Sequence, residues 1–473
     1  MQIHSSFING RYSTPNSKKI NVINKFDGRV VSKVTYCTEE DIEEAISTSK
    51  LAFEEYKNFS AGKRYDLIAK LVALLEVKKE DFATLIAQEA GKPISYARAE
   101  VLRCVSTLKF ALEESRRVGG TVVPMDFSHG ENRNSFTQKF PIGPIIAIAP
   151  FNFPLNLALH KIAPALACGC SIVLKPSPYT PLSSLLFAEL VEQAGFPKGV
   201  LNVVLCSNEQ SEYLVKHETF KMLSFTGSPK IGWMLKNIAG KKKVTLELGG
   251  NAAVIVDDSV DIKKIADDIA VGAYLYAGQI CISTQRIIVE QSIYAEFKEL
   301  LIGAIQNIAI GDPLDEQTIV GPLIDKEHLR RVESWVEESK NSGATILCGG
   351  RVLNEDQNLY EPTLIENHSN TDLVFCEEVF GPVATISSFK DFNEAITLVN
   401  DSKFGLQAGV FSNRLDRIKQ AFNELEVGAV LVNSIPGFRI DHMPYGGVKD
   451  SGLGKEGLIY AISDMTEEKL LVL

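Results

Sequence analysis

The sequence predicts an α/β protein of two doubly wound units with a protruding β-hairpin, and three observations carry that expectation. Short apolar runs alternate with helical stretches from 141 to 250, a second such series runs from 252 to 434, and two strand-like runs flank a polar turn between 121 and 140. Alternation of this kind specifies a mostly parallel sheet, because parallel strands need crossovers and helices must bury both sheet faces. At 473 residues the chain exceeds one ordinary core. Two domains are expected, tightly joined, since no repeat or low-complexity linker separates them.

In chain order, residues 1–5 lack the basic and apolar regions of a signal peptide and read as a first strand. Residues 6–11 and 20–23 read as short strands. Helices are expected over 39–56, 62–75, 79–91 and 94–117, where apolar residues recur at steps of three and four opposite charged faces. The runs 121–127 and 135–140 make the hairpin. The first alternating series has strands at 145–149, 171–175, 200–205, 222–225 and 244–248, with helices at 155–167, 181–195 and 229–239. Its uncharged start, 141–160, is no membrane span, because Pro141, Pro144, Pro150 and Pro154 break it. The second series has strands at 253–256, 286–289, 344–348, 383–387 and 429–433, and a largely buried helix at 261–276.

Composition narrows the partners. A net charge of -10, with 45% hydrophobic and 23% charged residues, describes a soluble globular chain and disfavours nucleic acid and anionic membrane. The eight cysteines show no paired spacing, and Cys168-Gly169-Cys170 is too tight for a zinc pair, so reduced thiols and a cytoplasmic location are expected. No metal-binding spacing occurs among the seven histidines.

The stretch with most chemistry is Gly278-Gln279-Ile280-Cys281-Ile282-Ser283-Thr284. Cysteine is a strong nucleophile once deprotonated, and an uncharged loop at a helix exit leaves its sulfur reachable by a carbonyl carbon. The competing reading is a small buried hydrophobe. In Phe225-Thr226-Gly227-Ser228-Pro229-Lys230-Ile231-Gly232 a strand runs into a helix with Ser228 as N-cap and Pro229 first. Such a start binds anions through free N–H groups, or is simply a strand–helix turn. Asn152, Lys175 and Glu247 each stand at the end of an apolar run, where ligands sit in open α/β sheets. Asn152 is either an oxyanion donor or a turn asparagine, Lys175 a ligand contact or a surface lysine, and Glu247 a general base or a solvated glutamate.

Taken together, P-F-N-F-P at 150–154, L-K-P-S-P at 174–178, F-T-G-S-P-K-I-G at 225–232, E-L-G-G-N at 247–251, G-Q-I-C at 278–281 and E-E-V-F-G-P at 377–382 resemble the aldehyde dehydrogenase superfamily. Six motifs in the family order cover nearly the whole chain. The resemblance implies an enzyme that oxidises an aldehyde to an acid with NAD or NADP, using Cys281 as nucleophile, Glu247 as base, and Asn152 with the Cys281 backbone N–H as oxyanion donors. It implies Phe151, Phe380, Lys175, Glu378, Gly227, Ser228 and Gly232 as coenzyme contacts, with no metal. Its architecture puts a coenzyme domain at 1–118 and 140–248, a catalytic domain at 249–455, and an arm at 119–139 and 456–473 that forms a homodimer or homotetramer.

Three departures matter. Phe151 replaces the more usual tryptophan, and Pro178 stands where strict NAD users often carry a glutamate, so use of both coenzymes is expected. The stretch Phe438 to Gly447 resembles the branch acting on small hydroxylated or anionic aldehydes, such as lactaldehyde, phosphonoacetaldehyde and glyceraldehyde phosphate, with Arg103, His160 and Arg439 as candidate pocket residues. Ile280, where phosphate-using members carry arginine, argues against a strongly anionic substrate. The alternatives are a coenzyme A-acylating enzyme, an enzyme of broad specificity for apolar or aromatic aldehydes, and a non-catalytic relative.

Overall fold

Runs of apolar residues buried on both faces give the first sheet its five parallel strands: Ile145–Ile148, Ile172–Lys175, Leu201–Val203, Met222–Thr226 and Lys243–Glu247. Their order in space is the third, second, first, fourth and fifth along the chain. The order therefore reverses between Ile145–Ile148 and Met222–Thr226, and the loops leaving those strands carry Asn152 and Gly227. A crevice at such a reversal is where open α/β sheets hold ligands. Phe7–Ile8 and Gly452–Leu453 add antiparallel pairings at the two sides, so the segment expected as one unit at 249–455 returns a strand to this sheet.

A computed structural model describes residues 3–16 and 19–473. Met1 and Gln2, the start of the expected first strand, lie outside the described residues. The second sheet has seven strands, six of them parallel, ordered Thr345–Cys348, Thr363–Glu366, Val383–Phe389, Thr284–Glu290, Ala252–Val256, Gln407–Phe411 and Ala429–Val432. Each sheet packs its own core, around residues such as Leu159, Leu174 and Phe187 in the first and Val254, Phe297 and Val332 in the second. Among the described residues no helix is long and apolar enough to cross a membrane.

The helix Glu39–Tyr56 starts on a capping box between Thr38 and Asp41, which satisfies two free N–H groups at its start. The helices Ala61–Val77, Lys79–Ala90 and Ile94–Ser115 follow, within two residues of expectation. Residues 6–11 do not form one strand: Asn9 and Gly10, at φ 52° and 72°, turn the chain between Phe7–Ile8 and Arg11–Tyr12.

The expected hairpin at 121–140 needs correction. Its second run is the strand Ser135–Pro141, but its full-length partner is the C-terminal strand Thr466–Val472, paired antiparallel over seven residues. The first run, 121–127, contributes only an isolated bridge between Val122 and Phe136. Pro124 lacks the N–H that a continuing ladder needs, whereas 466–472 contains no proline.

Candidate active site

The nucleophile candidate is delivered by a kink. The helix Ile262–Tyr274 gives way to Tyr276, Ala277 and Gly278 at φ 54°, 55° and 68°. Left-handed backbone is costly for non-glycine residues, so neighbours must fix it. The Tyr276 hydroxyl donates to Ala90 O at 2.9 Å, the Gln279 amide donates to Pro322 O at 3.1 Å, and Ile324 N donates to Gln279 Oε1 at 2.9 Å. Gly278 is obligatory, because a Cβ there would stand 2.2 Å from the Gly381 carbonyl oxygen.

Cys281 then stands between two cavities and lines both. One, of about 170 Å³, is walled by Lys92, Arg103, Phe153, Ile280, Arg439 and Tyr445 among others. The other, of about 310 Å³, is walled by Phe151, Asn152, Gly227, Ser228, Glu378 and Phe380, with His328 and Arg331. Burial pushes the Cys281 thiol up to about 12, opposed by a hydrogen bond with Tyr445 and by the Arg439 charge, and reinforced by Glu378 and Glu247. At rest the thiol is neutral.

Asn152 is held with its amide oriented: Oδ1 accepts from Phe153 N at 3.1 Å and Nδ2 donates to Gln279 O at 2.9 Å. One Nδ2 hydrogen remains for the larger cavity. Glu247, at the end of its strand, is 2% exposed, and neither carboxylate oxygen has a hydrogen-bond partner among the described residues. Burial, then the neighbouring Glu456 charge, raise its pKa well above the ordinary carboxylate value. An orphaned carboxyl in this position suits water, which satisfies it and can be activated by it.

Behind Glu247 lies a paired charge network that the sequence reading missed. Lys161 donates to Glu456 and to the Thr226 hydroxyl, both at 2.8 Å, and Arg439 donates to the second Glu456 oxygen at 3.0 Å. Despite burial, Lys161, His160 and Arg439 hold Glu456 ionised, at about 2. The available signal was Lys161 itself, a lone ammonium in Asn156–Cys168, a helix whose residues are all buried, since such a group requires a carboxylate.

The expected substrate residues divide. Arg103 and Arg439 line the smaller cavity, whereas His160 sits behind it. His160 shares Asp441 with Arg103 and Asn156, at 2.9, 2.7 and 3.1 Å. Burial and then the Arg439 charge lower the pKa of His160, opposed by Asp441 and Glu456. Lys92, also unforeseen, pairs with Glu100 and lies over the Phe153 ring at 3.4 Å.

The expected coenzyme residues divide as well. Phe151 and Phe380 meet edge to face, with centroids 5.8 Å apart, and Glu378 accepts from Gly250 N at 3.1 Å. Burial raises the Glu378 pKa to about 7. Ser228 caps the helix Pro229–Ile238 through its backbone, with Pro229 first and no side-chain cap bond. Gly232 lies a turn inside that helix against Leu248, where a Cβ would come within 2.4 Å of Leu248 Cδ2, so its smallness serves close helix–sheet contact. Lys175 ends its strand outside the cavity lining; burial lowers its pKa, and it has no carboxylate partner among the described residues.

Comparison with known proteins extends this geometry to the whole chain. The model of the aldehyde dehydrogenase family matches residues 12–471. The chain is 43% identical over 470 residues to 3-sulfolactaldehyde dehydrogenase of Priestia aryabhattai, covering 99% of this chain and 97% of that protein. It superposes with a TM-score of 0.97 on aldehyde dehydrogenase 21 of Physcomitrella patens in complex with the reaction product succinate, at 39% identity over 100% of this chain and 98% of that one. Against glyceraldehyde-3-phosphate dehydrogenase of Methanocaldococcus jannaschii complexed with NADP, the TM-score is 0.92 at 38% identity, over 97% and 99% of the two chains. Agreement of this extent, in sequence and fold together, makes the chain a member of the aldehyde dehydrogenase family.

Proposed function

We propose that the protein oxidises a short, polar, hydroxylated or singly charged aldehyde to the carboxylic acid, with NAD or NADP as the oxidant. The observation that carries this reading is that Cys281 is shared by two cavities of different character. The smaller, at about 170 Å³, falls below the range of roughly 300–1,000 Å³ usual for ligand pockets, which favours a short substrate. Arg103 gives its wall a guanidinium, with Nε and Nη2 held by Asp441 and Nη1 left for an anionic or hydroxylated tail. Sulfolactaldehyde and succinate, named for two of the relatives, share that chemistry.

The larger cavity fits a dinucleotide. Its helix start offers unpaired N–H groups to a pyrophosphate, Glu378 offers an acceptor to a ribose, and Phe151 and Phe380 offer an apolar wall. Bound there, the oxidised nicotinamide supplies the hydride acceptor. Cys281, once deprotonated, adds to the aldehyde carbon, and the Asn152 amide and the Cys281 backbone N–H donate to the oxyanion. Loss of hydride from the carbon leaves a thioester on Cys281. Glu247 takes a proton from water, which attacks that thioester and releases the acid. A coenzyme A-acylating enzyme would leave Glu247 without this task.

Asn152→Ala is expected to lower turnover about a hundredfold, the effect of losing one oxyanion donor. A change of less than about twofold would exclude that role.

The test of the whole reading is specificity, as kcat/KM followed by reduced-nicotinamide absorbance, for lactaldehyde, glycolaldehyde, succinic semialdehyde, glyceraldehyde phosphate, hexanal and benzaldehyde. Each is run with NAD and NADP, with and without coenzyme A, in wild type and Arg103→Ala. Short polar aldehydes are expected to lead and to weaken in the arginine variant. Both coenzymes are expected to serve, because Pro178 carries no charge to repel a 2′-phosphate and Lys175 stands nearby. A second reading, broad specificity for apolar or aromatic aldehydes, draws on the Phe153, Ile280 and Ile435 walls. If hexanal or benzaldehyde leads and Arg103→Ala changes nothing, that second reading replaces the first.

We further infer a cytoplasmic homodimer or homotetramer, with 1–118 and 140–248 as coenzyme domain and 249–455 as catalytic domain. In support, the eight cysteines are free thiols, and the arm strand exposes Leu470, Leu471 and Val472, an apolar edge that a second copy would cover. Light scattering that reports a monomer would remove the oligomer.

A further inference from the structure

Within the smaller cavity one aromatic wall residue is a tyrosine whose hydroxyl is spent on the nucleophile. Tyr445 Oη lies 3.1 Å from Cys281 Sγ. The residue is 3% exposed, and its backbone is bridged to Glu456 in both directions, N to O at 3.1 Å and O to N at 2.6 Å. On the ring face lies the Arg439 guanidinium, its carbon 3.6 Å from the centroid. Arg439 is anchored in turn by Glu456, so one residue fixes both the tyrosine backbone and the cation over its ring. A phenylalanine would fill the same space and keep the stack. What the hydroxyl adds is the contact with sulfur.

Either atom of that contact can be the donor while the thiol is protonated. Once the sulfur is an anion, only the phenol can donate, and a hydrogen bond to a charged acceptor is about twice as strong as a neutral one. A cation on the ring face draws electron density from the phenol and makes its O–H a better donor. The contact is therefore strongest when the nucleophile is in its reactive form, which is the condition for a group to speed a reaction rather than merely bind.

We propose that Tyr445 is a catalytic residue whose hydroxyl donates a hydrogen bond to the Cys281 thiolate, and that Arg439 is the positioning residue that holds and polarises it. The proposal rests on Cys281 being the nucleophile. It assigns Arg439 to the sulfur rather than to the substrate tail, and leaves Arg103 as the tail contact. The balance of groups around the sulfur makes the hydroxyl consequential: burial, Glu378 and Glu247 disfavour the thiolate, and Tyr445 and then Arg439 favour it. Lys92 and Arg103 line the same cavity and Arg331 the other, and all three are untouched by the variants below. Sulfur is again released as an anion when water attacks the thioester, so the same hydrogen bond acts on the nucleophile in acylation and on the leaving group in hydrolysis.

The test is alkylation of Cys281 by iodoacetamide, in which a sulfur–carbon bond forms as iodide leaves, followed across pH by mass spectrometry of the peptide that contains it. In Tyr445→Phe the pH midpoint is expected to rise by about one unit, the tenfold effect of one charge-assisted hydrogen bond. The pre-steady-state burst of reduced coenzyme should slow as well, because a smaller fraction of Cys281 is then thiolate at a given pH. Incorporation of 3-fluorotyrosine at 445, which keeps the shape and strengthens the donor, should move the midpoint down, and it serves if the phenylalanine variant fails to fold. An unchanged midpoint in either variant would reduce Tyr445 to packing, and shifts of opposite sign would make its oxygen the acceptor; both overturn the proposal. Because alkylation needs neither aldehyde nor coenzyme, this result is separable from the function itself, which fails instead if Cys281→Ala retains turnover.

Discussion

Cys281→Ala is expected to abolish aldehyde oxidation, with a loss on the order of ten-thousandfold or more, as when an enzyme loses its only nucleophile. Coenzyme affinity should hardly change, because the larger cavity touches Cys281 at one edge, while its helix start, Glu378 and Phe380 are untouched. Folding should survive as well. The kink that presents residue 281 is held by Tyr276, Gln279 and Gly278, not by the thiol. The measurements are reduced-nicotinamide absorbance with saturating aldehyde and titration of coenzyme binding by fluorescence. Appreciable turnover with intact coenzyme binding would move the nucleophile elsewhere, whereas loss of both would mean the variant had disturbed the loop. The other seven cysteines offer no obvious substitute, because none of them lines either cavity.

How far the sequence was legible depended on whether a residue's role was local. The helix Glu39–Tyr56 was read to its ends because the cap and the amphipathic face are both local signals. Asn208–Lys216 is hard to foresee although Ser207 and Gln210 form a capping box, because the helix has only nine residues with few apolar positions. The strand Gln407–Phe411 lies inside the second sheet yet reads poorly as a strand, since Ala408 and Gly409 have low β-propensity. Gly409 is required by tertiary contact, as a Cβ there would come within 2.6 Å of the Ser434 carbonyl oxygen. The hairpin expectation failed for a related reason: the full-length partner of 135–141 lies more than three hundred residues away.

The site divides the same way. Cys281, Glu247 and Asn152 stand at the ends of their own elements and announce themselves locally. Lys161, Asp441, Glu456 and Tyr445 acquire their roles largely from distant partners, such as Asp441 with Arg103, Glu456 with Lys161 and Tyr445 with Cys281. An isolated aspartate or glutamate near the chain end carries no mark of burial. His160, expected at the pocket wall for its charge, stands behind it, because sequence does not say whether a basic group faces a cavity or the network behind it.

Glu247→Gln is the second large effect, and it should separate the two halves of the reaction. Glutamine keeps the volume and a hydrogen-bonding end but cannot accept a proton from water. Acylation does not need that step, so the first turnover should still release a burst of reduced coenzyme. The steady rate should then fall by roughly a hundredfold to ten-thousandfold, the usual contribution of a positioned general base. The acyl group should accumulate on Cys281 and be visible as a mass adduct on its peptide. The pH profile supplies a further sign. Burial and the ionised Glu456 raise the pKa of Glu247, so it becomes a base at higher pH than an ordinary carboxylate does. Wild-type thioester hydrolysis should therefore climb with pH above the ordinary carboxylate range, and the glutamine variant should lose that climb. A variant that shows neither burst nor adduct would place its defect before the thioester, and one that keeps the pH dependence would assign the base to another group.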